Sequence, residues 1–261
     1  MKKFSYLVIT AFFILLLAAC GGNEESKDDN GKQKENKQEQ QAGQENNQNQ
    51  QKQAEDMQKK MEKQQVDEDK TVAVVNDKEI KGGEYNSLLS QNQAQYQQMG
   101  QDPTSGKAAE QLKKQVLDAL VGQELLLQEA KSKGYEASAD DVEKQMSGIK
   151  EQYGDEEALN KVLEQNNLTA KELEKQITQS LMIEKYVEKE IKTDEVTDEE
   201  AKEYYEQMKA QSGSQSEGQE MPPYEEIKGE IKKQLESQQQ QEKLMAKVEE
   251  LKKDADVELK I

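Results

Sequence analysis

The side chains able to do acid–base or nucleophilic chemistry are distributed unevenly along this chain. There is no histidine. That removes imidazole acid–base catalysis, Ser-His and Cys-His nucleophile pairs, and the usual zinc sites. Cys20 is the only cysteine, so no intramolecular disulfide can form. Carboxylates abound, 54 in 261 residues, and include the pairs Asp140-Asp141, Glu156-Glu157, Glu199-Glu200 and Glu225-Glu226. Most of these pairs fall where helices should begin, and negative charge there complements the helix dipole without any catalytic role. No D-x-D-x-D-G calcium spacing and no glycine-rich phosphate loop is present. The residues point to no catalytic centre, no metal and no cofactor.

The thiol takes its meaning from the residues before it. Lys2 and Lys3 precede a nearly unbroken apolar run, Leu7 to Leu17. That run is shorter than the ~20 residues a membrane-spanning helix needs, but it suits the core of a secretory signal. It ends in Leu17-Ala18-Ala19-Cys20-Gly21, which resembles the bacterial lipoprotein cleavage motif. The resemblance implies removal of residues 1–19, acylation at Cys20 with palmitate-type chains, and anchoring on the extracytoplasmic face of the cell membrane. Two or more acyl chains give a stable anchor where one is marginal. An ordinary cleaved signal with an incidental cysteine is the plainer alternative.

From residue 20 to residue 70 the chain is Gln, Asn, Glu, Lys, Asp and Gly with few apolar residues. Such a composition cannot offset its own chain entropy by burial, so this segment is expected to be a disordered spacer. As a flexible coil of 50 residues it would span ~35–42 Å. Met57 and Met61 could nucleate a transient helix near its end. The expected domain is residues 71–261. Trp is absent and the three Phe (Phe4, Phe12, Phe13) precede Cys20, so its core must come from Leu, Ile, Val, Met, Ala and Tyr. A net charge of −18 and a pI near 4.7 make nucleic acid and anionic lipid headgroups poor partners.

The elements that must position any site follow from periodicity. Thr71 to Val75 and Glu79-Ile80 flank Asn76-Asp77 and read as a hairpin. Asp256 to Ile261 alternates polar and apolar, as a half-buried strand does. Because a lone hairpin is marginal, this C-terminal strand is expected to join it. Everything between is helical in pattern: 84–99, 107–133 (the most apolar), a helix from Ser138 to Gly154, 156–165, a helix after Thr169, one after Thr197, and a last one after Pro222-Pro223. Thr169-Ala-Lys-Glu172 and Thr197-Asp-Glu-Glu200 are capping boxes. The last helix should be solvated all round at Ser237 to Gln241. The fold class is mostly α, with a small antiparallel sheet made by both chain ends.

The ordered set Val72 to Ile80, Ala130-Lys-Ser-Lys-Gly134, the Ser138-Ala-Asp-Asp-Val cap, Thr169-Ala-Lys-Glu-Leu173, and Val196-Thr-Asp-Glu-Glu200 with Tyr204-Tyr205 resembles the SurA/PrsA class of extracytoplasmic foldases and chaperones. In full-length members of that class a parvulin prolyl-isomerase domain follows the Tyr-Tyr helix. Here residues 206–222 stand in its place, a Gly/Ser/Gln-rich connector. The resemblance therefore implies the chaperone part alone, a helical cradle that holds unfolded or partly folded secreted polypeptides without catalysis.

Met adapts its shape and Tyr offers an apolar ring with a polar tip, so both suit such a cradle. The candidates are Tyr85, Tyr96, Met99, Met146, Tyr153, Met182, Tyr186, Tyr204, Tyr205 and Met208; ordinary core packing is the competing explanation for each. Two other functions fit the same residues. One is a structural, adhesion or regulatory surface lipoprotein that binds a specific native partner. The other is a degenerate prolyl isomerase.

Overall fold

The computed structural model describes residue 52 and residues 55–165, 168–212 and 221–261; the signal segment, Cys20 and most of the Gln/Asn-rich stretch lie outside the described residues, as do residues 213–220 of the 206–222 connector. β1 (Thr71–Val75) and β2 (Lys78–Lys81) form the expected hairpin, with Val75 opposite Lys78. Asn76 turns the chain at φ 53°, in the left-handed region that Asn tolerates better than most residues. β3 (Val257–Leu259) lies antiparallel on the other side of β1, with Val75 opposite Val257 and Ala73 opposite Leu259. The sheet order is β2-β1-β3, so the C-terminal strand joins the hairpin that follows α1 (55–62) and the 63–70 segment.

Asn76 fastens that meeting. Its backbone N–H donates to the Asp256 carbonyl at 2.7 Å, its Oδ1 accepts from the Asp256 N–H, and its Nδ2 donates to Gln128 Oε1 at 2.6 Å. Val72, Ala73 and Val75 are all fully buried in one core cluster, and the β1–β2 register slips by a residue between Thr71 and Ala73, so strict alternation does not hold there.

The helices are α1 (55–62), α2 (Gly82–Gln98), α3 (Gly106–Ser132), α4 (Ala139–Tyr153), α5 (Glu156–Gln165), α6 (Ala170–Glu190), α7 (Asp198–Ser212) and α8 (Tyr224–Asp254). Gly100, Gly134 and Gly154 follow α2, α3 and α4 with positive φ, the backbone state that stops a helix at least steric cost. The capping box at α6 is complete: Thr169 Oγ1 accepts from the Glu172 N–H while the Glu172 carboxylate accepts from the Thr169 N–H. Thr197 and Glu200 repeat it at α7.

Burial is divided among four clusters. The largest joins the sheet to α2 and α3 through Val72, Val75, Tyr85, Leu89, Leu112, Val116 and Leu120. A second, Leu126, Ala130, Tyr186 and Ile191, fastens the end of α3 to α6 and the last third of α8. The remaining two are satellites. Val142, Leu159, Leu163, Leu173 and Ile177 hold α4 and α5 on the first half of α6. Val196, Ala201, Tyr205 and Ile231 hold α7 on the first third of α8. α8, about 46 Å long at 1.5 Å per residue, serves three clusters, since its Leu251 also packs on the largest.

Two expectations need correction. Residues 57–70 are not part of a free spacer. Val66 packs on the largest cluster and its backbone pairs with the Asn86 side chain at 2.9 and 2.7 Å, and the folded unit spans 53–261. Composition hid this because most of the strong contacts are made by backbone, which every residue carries, and the side chains that add to them are a single valine and scattered Met and Gln. The Ser237 to Gln241 stretch is also not solvated all round: Gln239 and Gln240 are half-buried, because α8 passes between two clusters there.

Candidate functional site

The ten candidate side chains do not form one patch. Tyr85 (2% exposed), Met182, Tyr186 (1%) and Tyr205 (7%) are buried and belong to the packed interior. Burial raises the Tyr85 and Tyr186 hydroxyl pKa values, since it penalises the phenolate. Tyr96 is half-buried against the largest cluster, and Met99, just beyond α2, is 56% exposed. Met146 and Tyr153 are half-buried on the α4–α5–α6 satellite. Tyr204 is half-buried on the α7–α8 satellite, and Met208 is half-buried one turn along α7.

The α7–α8 satellite has the most developed geometry. Thr197 caps α7 and places Asp198 in its first turn, where the carboxylate bridges Lys228 and Lys232 of α8, 2.6 Å from Lys232. The two lysines hold Asp198 down at a pKa of about 2. The Tyr224 hydroxyl donates to the Asp198 carbonyl at 3.0 Å, and the Tyr205 hydroxyl to the Pro222 carbonyl at 2.9 Å. The Tyr205 and Tyr224 rings lie 5.6 Å apart and tilted, a favourable aromatic arrangement. Gln234 Nε2 donates to the Tyr204 hydroxyl at 2.7 Å. Around these polar fixings, Tyr204, Met221, Tyr224, Ile227 and Leu235 remain only partly buried. This is an apolar strip with a polar frame.

Met221 and Tyr224 were missed among the candidates. The signal for Tyr224 was available: Tyr224, Ile227, Ile231 and Leu235 are spaced 3, 4, 4, one stripe of a helix. Met221 lies outside any periodic segment.

The paired carboxylates are structural. Asp141 binds Lys185 at 2.8 Å, which with the Ser138 cap keeps its pKa low; Glu200 is low through its bonds to Thr197. Glu184 is shifted upward by burial, with Glu188 and Asp141 adding to it. A surface depression on α5 is lined by Glu156, Glu157, Asn160, Lys161 and Glu164 and contains none of the candidates. Among the described residues no group of three acidic or sulfur ligands could hold a metal, and no helix is long and apolar enough to cross a membrane.

These elements define a mostly α protein in which the C-terminal strand and the 71–81 hairpin form one small sheet and whose helices carry separate apolar satellites. The family model for the SurA-like N-terminal domain matches residues 60–187, from α1 into α6, so this part of the chain is a SurA-like N-terminal domain. The match begins upstream of Thr71, in agreement with the corrected boundary. A chain from the structures of PEB4 and Cj1289, described as two SurA-like chaperones of Campylobacter jejuni, is 13% identical. That alignment covers 73% of this chain and 98% of the other, with a TM-score of 0.44. No curated protein matches this chain.

Proposed function

We propose that this protein is a lipid-anchored, extracytoplasmic holdase. It binds unfolded or partly folded secreted polypeptides on the open apolar strips of its helical satellites and performs no catalysis. The observation that carries this reading is the partition of apolar residues in a chain with a SurA-like N-terminal domain. In the α7–α8 satellite four side chains are buried, while five more stay partly exposed. Tyr and Met on such strips bind many sequences weakly, because they supply apolar area without demanding a fixed shape. The acidic surface adds a salt-sensitive attraction for basic clients. Prolyl isomerisation is left out of the proposal. Only residues 213–223 separate α7 from α8, far too few for a parvulin domain.

The mature chain, residues 20–261, should slow the aggregation of a denatured secreted protein at near-stoichiometric ratio, and do so better at low salt than at high salt. Replacing Tyr204 and Tyr224 by Ser should weaken the effect severalfold. No suppression, combined with tight binding to one native protein, would establish the specific-partner alternative instead. Anchoring is tested apart from binding. Cys20→Ser should abolish incorporation of labelled palmitate and move the protein from the membrane to the soluble fraction.

A further inference from the structure

Residues 55–70 lie along α2 in two parts that are held very differently. The second part is a fixed root. Gly82 N–H donates to the Lys70 carbonyl at 2.7 Å and Gly83 N–H to the Glu68 carbonyl at 3.0 Å. Asn86 clasps the backbone of Val66 from both sides. The fit is close enough that a Cβ on Gly82 would stand 1.9 Å from the Asp67 carbonyl oxygen.

The first part is held lightly. In α1 only Met57 and Met61 are half-buried; the other six residues are exposed. Met61 Sδ accepts from Gln97 Nε2 at 3.2 Å, and Met57 Sδ lies 3.5 Å from Thr104 Oγ1, whose proton goes to the Asp102 carboxylate at 2.6 Å. Gln64 Nε2 adds a bond to the Pro103 carbonyl at 3.2 Å. Thioether sulfur is a weak acceptor, so this half of the strap is held less firmly than residues 66–70. What it sits on is the last turn of α2, through Gln97, and the Pro103–Thr104 turn.

We infer that the surface formed by the end of α2 and the Pro103–Thr104 turn is a binding site for a short amphipathic helix with apolar side chains four residues apart. The chain's own Met57 and Met61 fill it when no client is present. The occupant shows what fits: one or two helical turns, two flexible apolar side chains on one face, and polar residues elsewhere. That the natural competitor is a segment of a client polypeptide rests on the holdase reading. The site as a helix receptor does not. A self-occupied site lowers the apparent affinity of any competitor by the fraction of time it is open.

The test uses the mature chain with Met57→Ser and Met61→Ser, which leaves residues 66–70 and their bonds in place, and a fluorescent peptide of residues 55–65. The double variant should bind the peptide about tenfold more tightly than the unaltered chain, because its own segment no longer competes. A denatured secreted protein should displace the peptide. Equal affinity for both chains, or no binding to either, overturns the site. Peptide binding that the denatured protein cannot displace overturns its assignment to clients. If neither chain slows aggregation while the variant still binds the peptide, the holdase reading fails and the helix site stands.

Discussion

Asp198 shows how much one exposed carboxylate can organise. It caps no helix itself, yet its side chain joins α7 to Lys228 and Lys232, and its carbonyl accepts the Tyr224 hydroxyl. Its pKa falls from the ordinary 3.8 to about 2. A carboxyl whose folded pKa is depressed contributes stability above its unfolded pKa and loses that contribution as pH falls through the folded value. Asp198→Asn should therefore lower Tm by a constant amount above about pH 5, with the difference shrinking to nothing between pH 4 and 2. A variant as stable as the parent at every pH would mean that the backbone carbonyl and not the charge carries the contact. At this scale the tyrosines were legible by type only. Tyr96 and Tyr153 are as half-exposed as a binding residue needs to be, whereas Tyr85 and Tyr186 are interior. Residue type sets what a ring can do, but the neighbour opposite sets whether anything reaches it.

At the scale of elements, local chemistry was the most readable part of the chain. The Thr169 and Thr197 capping boxes, the Asn76 turn and the glycine stops act through bonds within four residues, and each formed where its residues stand. Thr169→Ala should cost about 1 kcal/mol in urea unfolding. Contacts between elements were less readable. Nothing in the composition of residues 57–70 marks them as docked, since Gly82, Gly83 and Asn86 recognise their backbone. Gly82→Ala places a methyl group against the Asp67 carbonyl, and should destabilise the fold by about 1–3 kcal/mol. Unchanged stability would show that the strap root shifts freely. The solvated length expected at Ser237 to Gln241 holds for Ser237, Gln238 and Gln241 but not for Gln239 and Gln240, which are half-buried.

For the whole molecule, closure depends on the last six residues. β3 supplies one side of β1, and Asn76 and Lys260 bond across to Asp256 and Val72. A chain ending at Ala255 should lose at least about 2 kcal/mol, at roughly 1 kcal/mol per cross-strand bond, and expose the amides of Val74 and Lys260's partner strand to rapid exchange. Retained protection of Val72 to Val75 would mean that α2 and α3 alone hold the sheet. Alternation in Asp256 to Ile261 was enough to foresee a strand, and the marginal stability of a lone hairpin was enough to foresee its partner. Local bonding and periodicity, both short-range, therefore wrote the element list and the pairing of the C-terminal strand into the sequence. The division of one apolar inventory into four clusters, the burial of some tyrosines and exposure of others, and the seating of Met57 and Met61 on α2 were decided only in three dimensions. Each depends on which helix face meets which neighbour, and that is fixed by contacts between residues dozens to hundreds of positions apart.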